Sequence, residues 1–169
     1  MGLDLYARIE PYLDFEEEIY SLHKEFLKFI MVNDLDNIID IGCGQGYFLN
    51  NLEINKKKAF GIDLSVEQIK ICEEKGLNAK AIVLEDVKEK FDFIVSRAVT
   101  EFPVFYNWVK NKIKKENNNK LNNGILYLKG GDLEKEFGHY FAKSVFFNLY
   151  DYFPLEFFET KKVVYFKMN

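Results

Sequence analysis

Cysteine and histidine are in short supply in this chain and positive charge is outnumbered by negative, and each of these removes a class of chemistry. The two cysteines, Cys43 and Cys72, stand at neither metal-ligand spacing nor the spacing of a disulfide framework. That excludes zinc ribbons and stapled secreted scaffolds, and a reducing cytoplasm is the expected location. The two histidines, His23 and His139, are isolated from each other, so no zinc set or Ser-His-Asp constellation can be built on them, and no P-loop is present. No apolar run approaches the ~20 residues of a membrane-spanning helix. Asp4 and Glu10 sit where a signal peptide would be basic and then apolar. The net charge of −4 leaves no global electrostatic footprint for nucleic acid. What remains, at 169 residues, is one domain large enough to bury a core without metal or disulfide.

Apolar runs of strand length alternate with segments of helical spacing. A first helix is expected from Asp14 to Met31, carrying Phe15, Ile19, Leu22, Phe26, Leu27 and Ile30 on one face. A strand over Asn37 to Ile41 and a helix over Tyr47 to Leu52 follow, then a strand over Ala59 to Ile62. Ser65 caps the next helix, which has Glu67 in its first turn and runs to Lys75 before Gly76. Strands are expected at Ala79 to Leu84 and Phe91 to Val95, a helix opened by Pro103 through Trp108 to Lys114, and a strand at Gly124 to Lys129. There the alternation stops. Lys143 to Leu149 and Lys161 to Lys167 read as an antiparallel hairpin at one sheet edge. The expected fold is α/β, a doubly wound, mostly parallel seven-stranded sheet closed by that hairpin.

Two surface features bear on partners. Lys110, Lys112, Lys114, Lys115 and Lys120 cluster around an asparagine-rich stretch, Asn117 to Asn119 with Asn122 and Asn123, which reads as a solvated loop ahead of an RNA contact. Aromatic residues make up 17% of the chain. The group Phe141, Phe146, Phe147, Tyr150, Tyr152, Phe153, Phe157 and Phe158 reads as packing for the closing hairpin ahead of a base-stacking surface.

Chemistry concentrates in Asp40-Ile41-Gly42-Cys43-Gly44-Gln45-Gly46. The glycines let the backbone turn sharply after a buried strand and approach a ligand closely. About twenty residues after Gly42, Asp63 ends a second apolar run, where an open α/β sheet sets an acid against ribose hydroxyls. A dinucleotide turn is usually G-x-G-x-x-G and offers a helix N-terminus to a pyrophosphate, which a carboxylate at Asp40 would repel. The same carboxylate suits the cationic methionine end of S-adenosylmethionine. Acid, glycine triplet and distal acid together resemble motifs I and II of the class I methyltransferases, and an S-adenosyl-L-methionine cofactor is expected.

The later half resembles a narrower family. Phe91-Asp92-Phe93-Ile94-Val95-Ser96-Arg97-Ala98-Val99, Gly124 to Gly131 and Phe157 to Tyr165 are similar to the bacterial ribosomal small-subunit methyltransferases called RsmG or GidB, from about Phe91 onward. Members methylate N7 of a guanine in small-subunit (16S) rRNA, so the resemblance implies that activity, with small-subunit rRNA or the ribosomal subunit as partner; composition and spacing give no membrane or metal, and the sequence leaves the oligomeric state open, with a monomer favoured. The resemblance also implies Gly42, Tyr47, Leu84, Glu85 and Arg97 as cofactor-site residues. With Asp40, Cys43, Gly44, Gly46, Asp63 and Leu64 from the turn and the distal acid, these are the expected contacts. The helix from Ser65 to Lys75 looks instead like that of methyltransferases acting on small molecules or proteins, which stays an alternative, as does a non-catalytic cofactor-binding module. No catalytic residue is assigned: guanine N7 has a free lone pair and needs no general base. Cys43 and Cys72 are expected to pack rather than attack, and Ser96-Arg97-Ala98-Val99 is not the Asp/Asn-Pro-Pro-aromatic pattern of amine methylation. Lys129, at a strand end, faces either the same crevice or solvent. Glu101 is near the same mouth.

Overall fold

The computed structural model describes residues 37–54, 58–97 and 99–169. The expected helix from Asp14 to Met31 lies outside the described residues, as does His23. The architecture is a 7-stranded sheet in the order β3-β2-β1-β4-β5-β7-β6. Strands β1 (Asn37–Ile41), β2 (Lys58–Asp63), β3 (Ala79–Ala81), β4 (Phe93–Arg97) and β5 (Gly124–Gly130) run parallel. Strands β6 (Ser144–Asn148) and β7 (Lys161–Lys167) are antiparallel, and the later one inserts between β5 and β6. This is the expected doubly wound sheet with its closing hairpin.

Alternation along the strands divides the core into two faces. Ile38, Phe93, Val95, Leu126 and Val163 point to one, where α1 (Tyr47–Ile54) lays Phe48, Leu49 and Leu52 and α2 (Val66–Glu74) lays Ile69 and Cys72. Ile39, Ile94, Ile125, Tyr127 and Val164 point to the other, covered by Phe102, Phe105 and Val109 of α3 (Phe102–Val109) and by Leu133 and Phe137 of α4 (Leu133–Phe137). Ser65 caps α2 as expected, accepting from the Gln68 N–H.

Three boundaries differ from the sequence pattern, each because a distant segment intervenes. Strand β3 stops at Ala81 because its partner β2 ends at Asp63, and the chain then forms a 3₁₀ turn over Leu84–Asp86. Phe91 lies outside β4 because it pairs with Ile113: the Phe91 N–H donates to the Lys112 carbonyl at 2.7 Å and the Lys114 N–H to the Phe91 carbonyl at 2.9 Å. The same pairing pulls the chain out of helix after Val109, short of the expected Lys114. Alternation also continues past β5, since Asp132 caps the short α4.

The asparagine-rich segment is built into the amino edge of the sheet. Buried Asn123 donates to the Lys114 and Glu116 carbonyls, at 3.2 and 2.8 Å, and its N–H reaches the Asn117 side chain at 2.7 Å. Asp92, also buried, accepts from the Asn37 N–H at 2.8 Å, from Lys114 Nζ at 3.1 Å and from Asn123 Nδ2 at 3.4 Å. Lys112 bonds the Val87 carbonyl and Lys110 the Asn107 side chain. The lysine cluster therefore surrounds the start of the parallel strands, about one strand length, ~17 Å, from the edge where those strands end. Most of the closing aromatics pack as expected: Phe146 meets Phe137 and Phe141, and Phe158 meets Phe153 and Phe157. Tyr150 and Tyr152 are exposed.

Replacing Asp92 with Ala removes the partner of the Lys114 ammonium and of the first N–H of β1, while Asn123 keeps its two carbonyl acceptors. Removal of one partner from a buried charged network costs on the order of 2 to 4 kcal/mol. Urea unfolding of Asp92→Ala is expected to show a loss in that range. A loss below about 1 kcal/mol would mean that solvent takes over these contacts.

Candidate functional site

Strands β1 and β4 are neighbours, but the helices that follow them, α1 and α3, cover opposite faces of the sheet. The loops after them diverge and leave a crevice at the carboxyl edge, where ligands bind in open α/β sheets. The turn after β1 is pinned from both sides. The N–H groups of Gly42 and Cys43 donate to the Ile62 carbonyl at 2.8 and 3.0 Å, and the Gly46 N–H to the Cys43 carbonyl at 3.0 Å. Asp63 adds a clamp from the end of β2: one carboxylate oxygen accepts the Gly44 N–H at 3.0 Å and the other the Ser65 N–H at 2.9 Å. At Gly46, with φ +78°, a Cβ would stand 2.5 Å from Leu77 Cδ1, so a side chain there collides with the α2–β3 connection. Gly42 has φ +74° and faces Val99 across the crevice, where a Cβ would come within 3.0 Å.

Asp40, the penultimate residue of β1, is 1% exposed, and neither of its carboxylate oxygens has a hydrogen-bond partner. Burial pushes its carboxyl up from 3.8 to about 6; Arg97 opposes the rise and Asp63 adds to it. Arg97 ends β4 and donates from Nη2 to the Cys43 carbonyl at 3.5 Å, so its charge spans the crevice to the glycine turn. Ser96 anchors the same strand end by donating from Oγ to the Ile41 carbonyl at 2.8 Å.

Beside this charged pair opens a cavity of about 380 Å³, a size suited to a small ligand. Ile62, Ile82, Val83, Leu84, Val99 and Trp108 give it apolar walls, and Asp63 and Glu85 are its acids. Of the expected contacts, Gly42, Asp63, Leu64, Leu84 and Glu85 line the cavity. Asp40, Cys43, Gly44, Gly46 and Arg97 form the turn and the charges next to it. Tyr47 lies outside the lining: its hydroxyl donates to Gln45 Oε1 at 3.3 Å, and Lys75 Nζ sits 4.5 Å from its ring centre. Cys43 and Cys72 are buried, and both thiols donate to the Gly44 carbonyl, at 3.7 and 3.2 Å. Burial pushes both thiols up, so neither is a ready thiolate nucleophile.

Lys129 faces neither solvent nor an anion in the crevice. It pairs with Glu136 at 2.8 Å and donates to the Thr100 carbonyl at 3.0 Å. Tyr127 joins from the same strand, with its hydroxyl donating to the Thr100 carbonyl at 2.6 Å and accepting the Thr100 N–H at 3.1 Å. Glu136 also accepts the Phe102 N–H at 2.9 Å. These groups hold the loop between β4 and α3, and Glu101 in that loop stays exposed. Trp108, Val99, Val83 and Ile82 reach the cavity without having been singled out in the sequence. For Trp108 a signal existed: Phe102, Phe105 and Val109 form the buried stripe of α3, and an indole off that stripe has no place in the core.

The sheet order and a glycine turn clamped by an acid at the end of the neighbouring strand define the class I methyltransferase fold. A family described as a methyltransferase domain matches residues 11–102. Ribosomal RNA small subunit methyltransferase G of Flavobacterium psychrophilum is 44% identical over 137 residues, spanning 76% of this chain and 65% of its own length. Its namesake from Christiangramia forsetii is 40% identical over 166 residues, spanning 90% and 78%. The chain belongs to the ribosomal RNA small subunit methyltransferase G family, and it covers just under two thirds of the length of the Flavobacterium relative. The match runs through both halves of the chain and is not confined to the part after Phe91. Among solved structures, coclaurine N-methyltransferase bound to N-methylheliamine and SAH shares the fold, with a TM-score of 0.58 at 17% identity over 69% of this chain and 37% of its own. No described helix is long and apolar enough to cross a membrane. Among the described residues no group of three or more His, Cys, Asp and Glu could hold a metal.

The raised carboxyl of Asp40 has a sign that can be measured. Its folded value, about 6, lies above the 3.8 of an unfolded aspartate, so stability is full below about pH 4 and is lost as pH rises through 6. At ~1.4 kcal/mol per pH unit the loss reaches about 3 kcal/mol by pH 8. Asp40→Asn does not titrate. In urea unfolding of the ligand-free protein, its stability relative to wild type should therefore improve by about 3 kcal/mol between pH 4 and pH 8. Parallel pH profiles for the two proteins would show that Asp40 is not held in an ion-poor site.

Proposed function

We propose that the chain is an S-adenosylmethionine-dependent methyltransferase whose acceptor is a guanine N7 of small-subunit ribosomal RNA. The observation that carries the cofactor is Asp40, a buried carboxylate with no hydrogen-bond partner in the protein, beside a tight glycine turn. Such a group wants a cation, and the cofactor's methionine end brings an ammonium and a sulfonium. Asp40 would hold the ammonium, Gly42 would let the backbone approach, and Asp63 would accept the ribose hydroxyls beside the two amides it already holds. Ile82, Leu84 and Glu85 would border the base.

When bound, the cofactor supplies a methyl group on a sulfonium: the guanine N7 lone pair forms the new N–C bond while the S–C bond breaks onto sulfur. The protein's part is alignment. Holding two reactants in line can lower a barrier by ~7 to 11 kcal/mol. The acceptor needs no base, and among the described residues Arg97 and the fixed loop through Thr100 stand at the mouth. Thr100 is held by three contacts from Tyr127 and Lys129, which gives the acceptor a preformed wall. The rRNA acceptor is supported by membership in a family whose members bear that name. A small-molecule or protein acceptor draws on one observation: the densest lysine cluster lies at the far edge of the sheet.

Purified protein incubated with methyl-labelled cofactor and small ribosomal subunits lacking guanine N7 methylation is expected to place label at one guanine N7. Transfer should fall steeply with added salt for an RNA acceptor and hardly at all for a small molecule. No label in RNA would overturn the acceptor. Separately, Asp63→Ala should weaken S-adenosylhomocysteine binding by at least about tenfold in calorimetry, the equivalent of one charge-assisted hydrogen bond. Unchanged affinity would remove the cofactor assignment at its most specific residue.

A further inference from the structure

Leu64, Val83 and Trp108 are 76%, 44% and 48% exposed, which places them among the large apolar side chains left most open to solvent, and all three border the same cavity. Scattered exposed hydrophobics need no explanation, whereas a group around one opening marks a surface that something apolar covers. Leu64 and Val83 come from the chain just after β2 and β3. Trp108 comes from α3, which follows β4 on the other side of β1. The cavity is therefore walled from both halves of the sheet, with an aromatic plane contributed by only one. Glu85 and Asp63 leave it some polar edge. A flat heteroaromatic ring with polar edges has this complementarity, and stacking on an aromatic side chain is its strongest contact.

Trp108 is also held ready for that contact. Phe105, one turn earlier on α3, stacks on Tyr127 with ring centres 4.5 Å apart and planes 9° from parallel, and Phe102 stacks on Phe137 at 4.2 Å. The helix carrying the indole is thereby fixed to β5 and α4, and to the Thr100 loop through the Tyr127 hydroxyl. We propose that Trp108 is the base-stacking residue of the cofactor site, lying against the adenine ring and fixing the site's preference for a purine. The inference rests on the S-adenosylmethionine reading above.

Trp108 is the chain's only tryptophan, so its emission reports on one place. The test is a titration of wild type, Trp108→Phe and Trp108→Ala with S-adenosylhomocysteine and with adenosine, followed by calorimetry, with wild-type tryptophan emission recorded in parallel. Circular dichroism and urea unfolding establish that the variants are folded. Wild-type emission should change and saturate at the calorimetric affinity. Trp108→Ala should weaken both ligands by a common factor of about ten or more, while Trp108→Phe, which keeps an aromatic face, stays within about threefold. Heat of binding with unchanged emission, and a folded Ala variant that binds like wild type, would overturn the stacking role and leave the cofactor assignment standing. An Ala variant with normal S-adenosylhomocysteine affinity but impaired methyl transfer would also overturn it, moving the indole to the acceptor. No heat with wild type would overturn the cofactor reading, and this inference with it.

Discussion

A carboxylate at the end of β1, buried with neither oxygen hydrogen-bonded, is the constraint around which the carboxyl edge is arranged. Burying a charge without a partner is costly enough that a protein normally pairs it or leaves it neutral. Here Arg97 is near enough to oppose the rise in the Asp40 pKa, and it also donates to the Cys43 carbonyl. Asp63 makes matters worse electrostatically while its own oxygens are engaged by backbone amides. Two carboxylates therefore stand against one guanidinium at this edge, with Asp40 itself shut off from water.

The two ends of the sheet illustrate what different uses of buried acids look like. Asp92, at the amino edge, is saturated: a backbone amide, an ammonium and a side-chain amide converge on it. Asp40, at the carboxyl edge, has none of these. The strands between them are short and parallel, so both acids share one scaffold, and only the local loops decide their fates. After β5 the chain doubles back through α4, and that return brings Glu136 to Lys129 and so immobilises the β4–α3 loop. Rigidity of that loop is thus supplied by the segment that the simple β/α alternation does not contain.

What could be read from the residue order follows the range of the interactions involved. Strands β1 and β2, the Ser65 cap and the closing hairpin rest on local apolar runs and capping chemistry, and they stand where the pattern puts them. The end of α3 and the start of β4 do not, because both are set by the pairing of Phe91 with Ile113 across the chain. The site divides in the same way. Asp40, the glycines and Asp63 were legible because two adjacent strands deliver them at fixed spacing. Trp108 and Val99 enter the cavity only because β4 lies beside β1, a neighbour relation that no linear spacing records. The lysine cluster shows the same limit from the other side: residues dense in sequence read as a solvated loop ahead of an RNA contact, while the structure engages Lys112 and Lys114 in holding the amino edge together.

Asp63 links these levels, since it does two jobs with one carboxylate. Each oxygen already accepts one amide, from Gly44 and from Ser65, and each retains a second lone pair. The first pair of bonds fixes the glycine turn and the start of α2 before any ligand arrives. The second pair is available to two adjacent hydroxyls, the arrangement a ribose presents. A longer acid at this position could reach hydroxyls but would not sit at the distance that holds Gly44, and an amide would offer one acceptor where two are needed. The acid proposed to bind the sugar is therefore also the one that builds the turn.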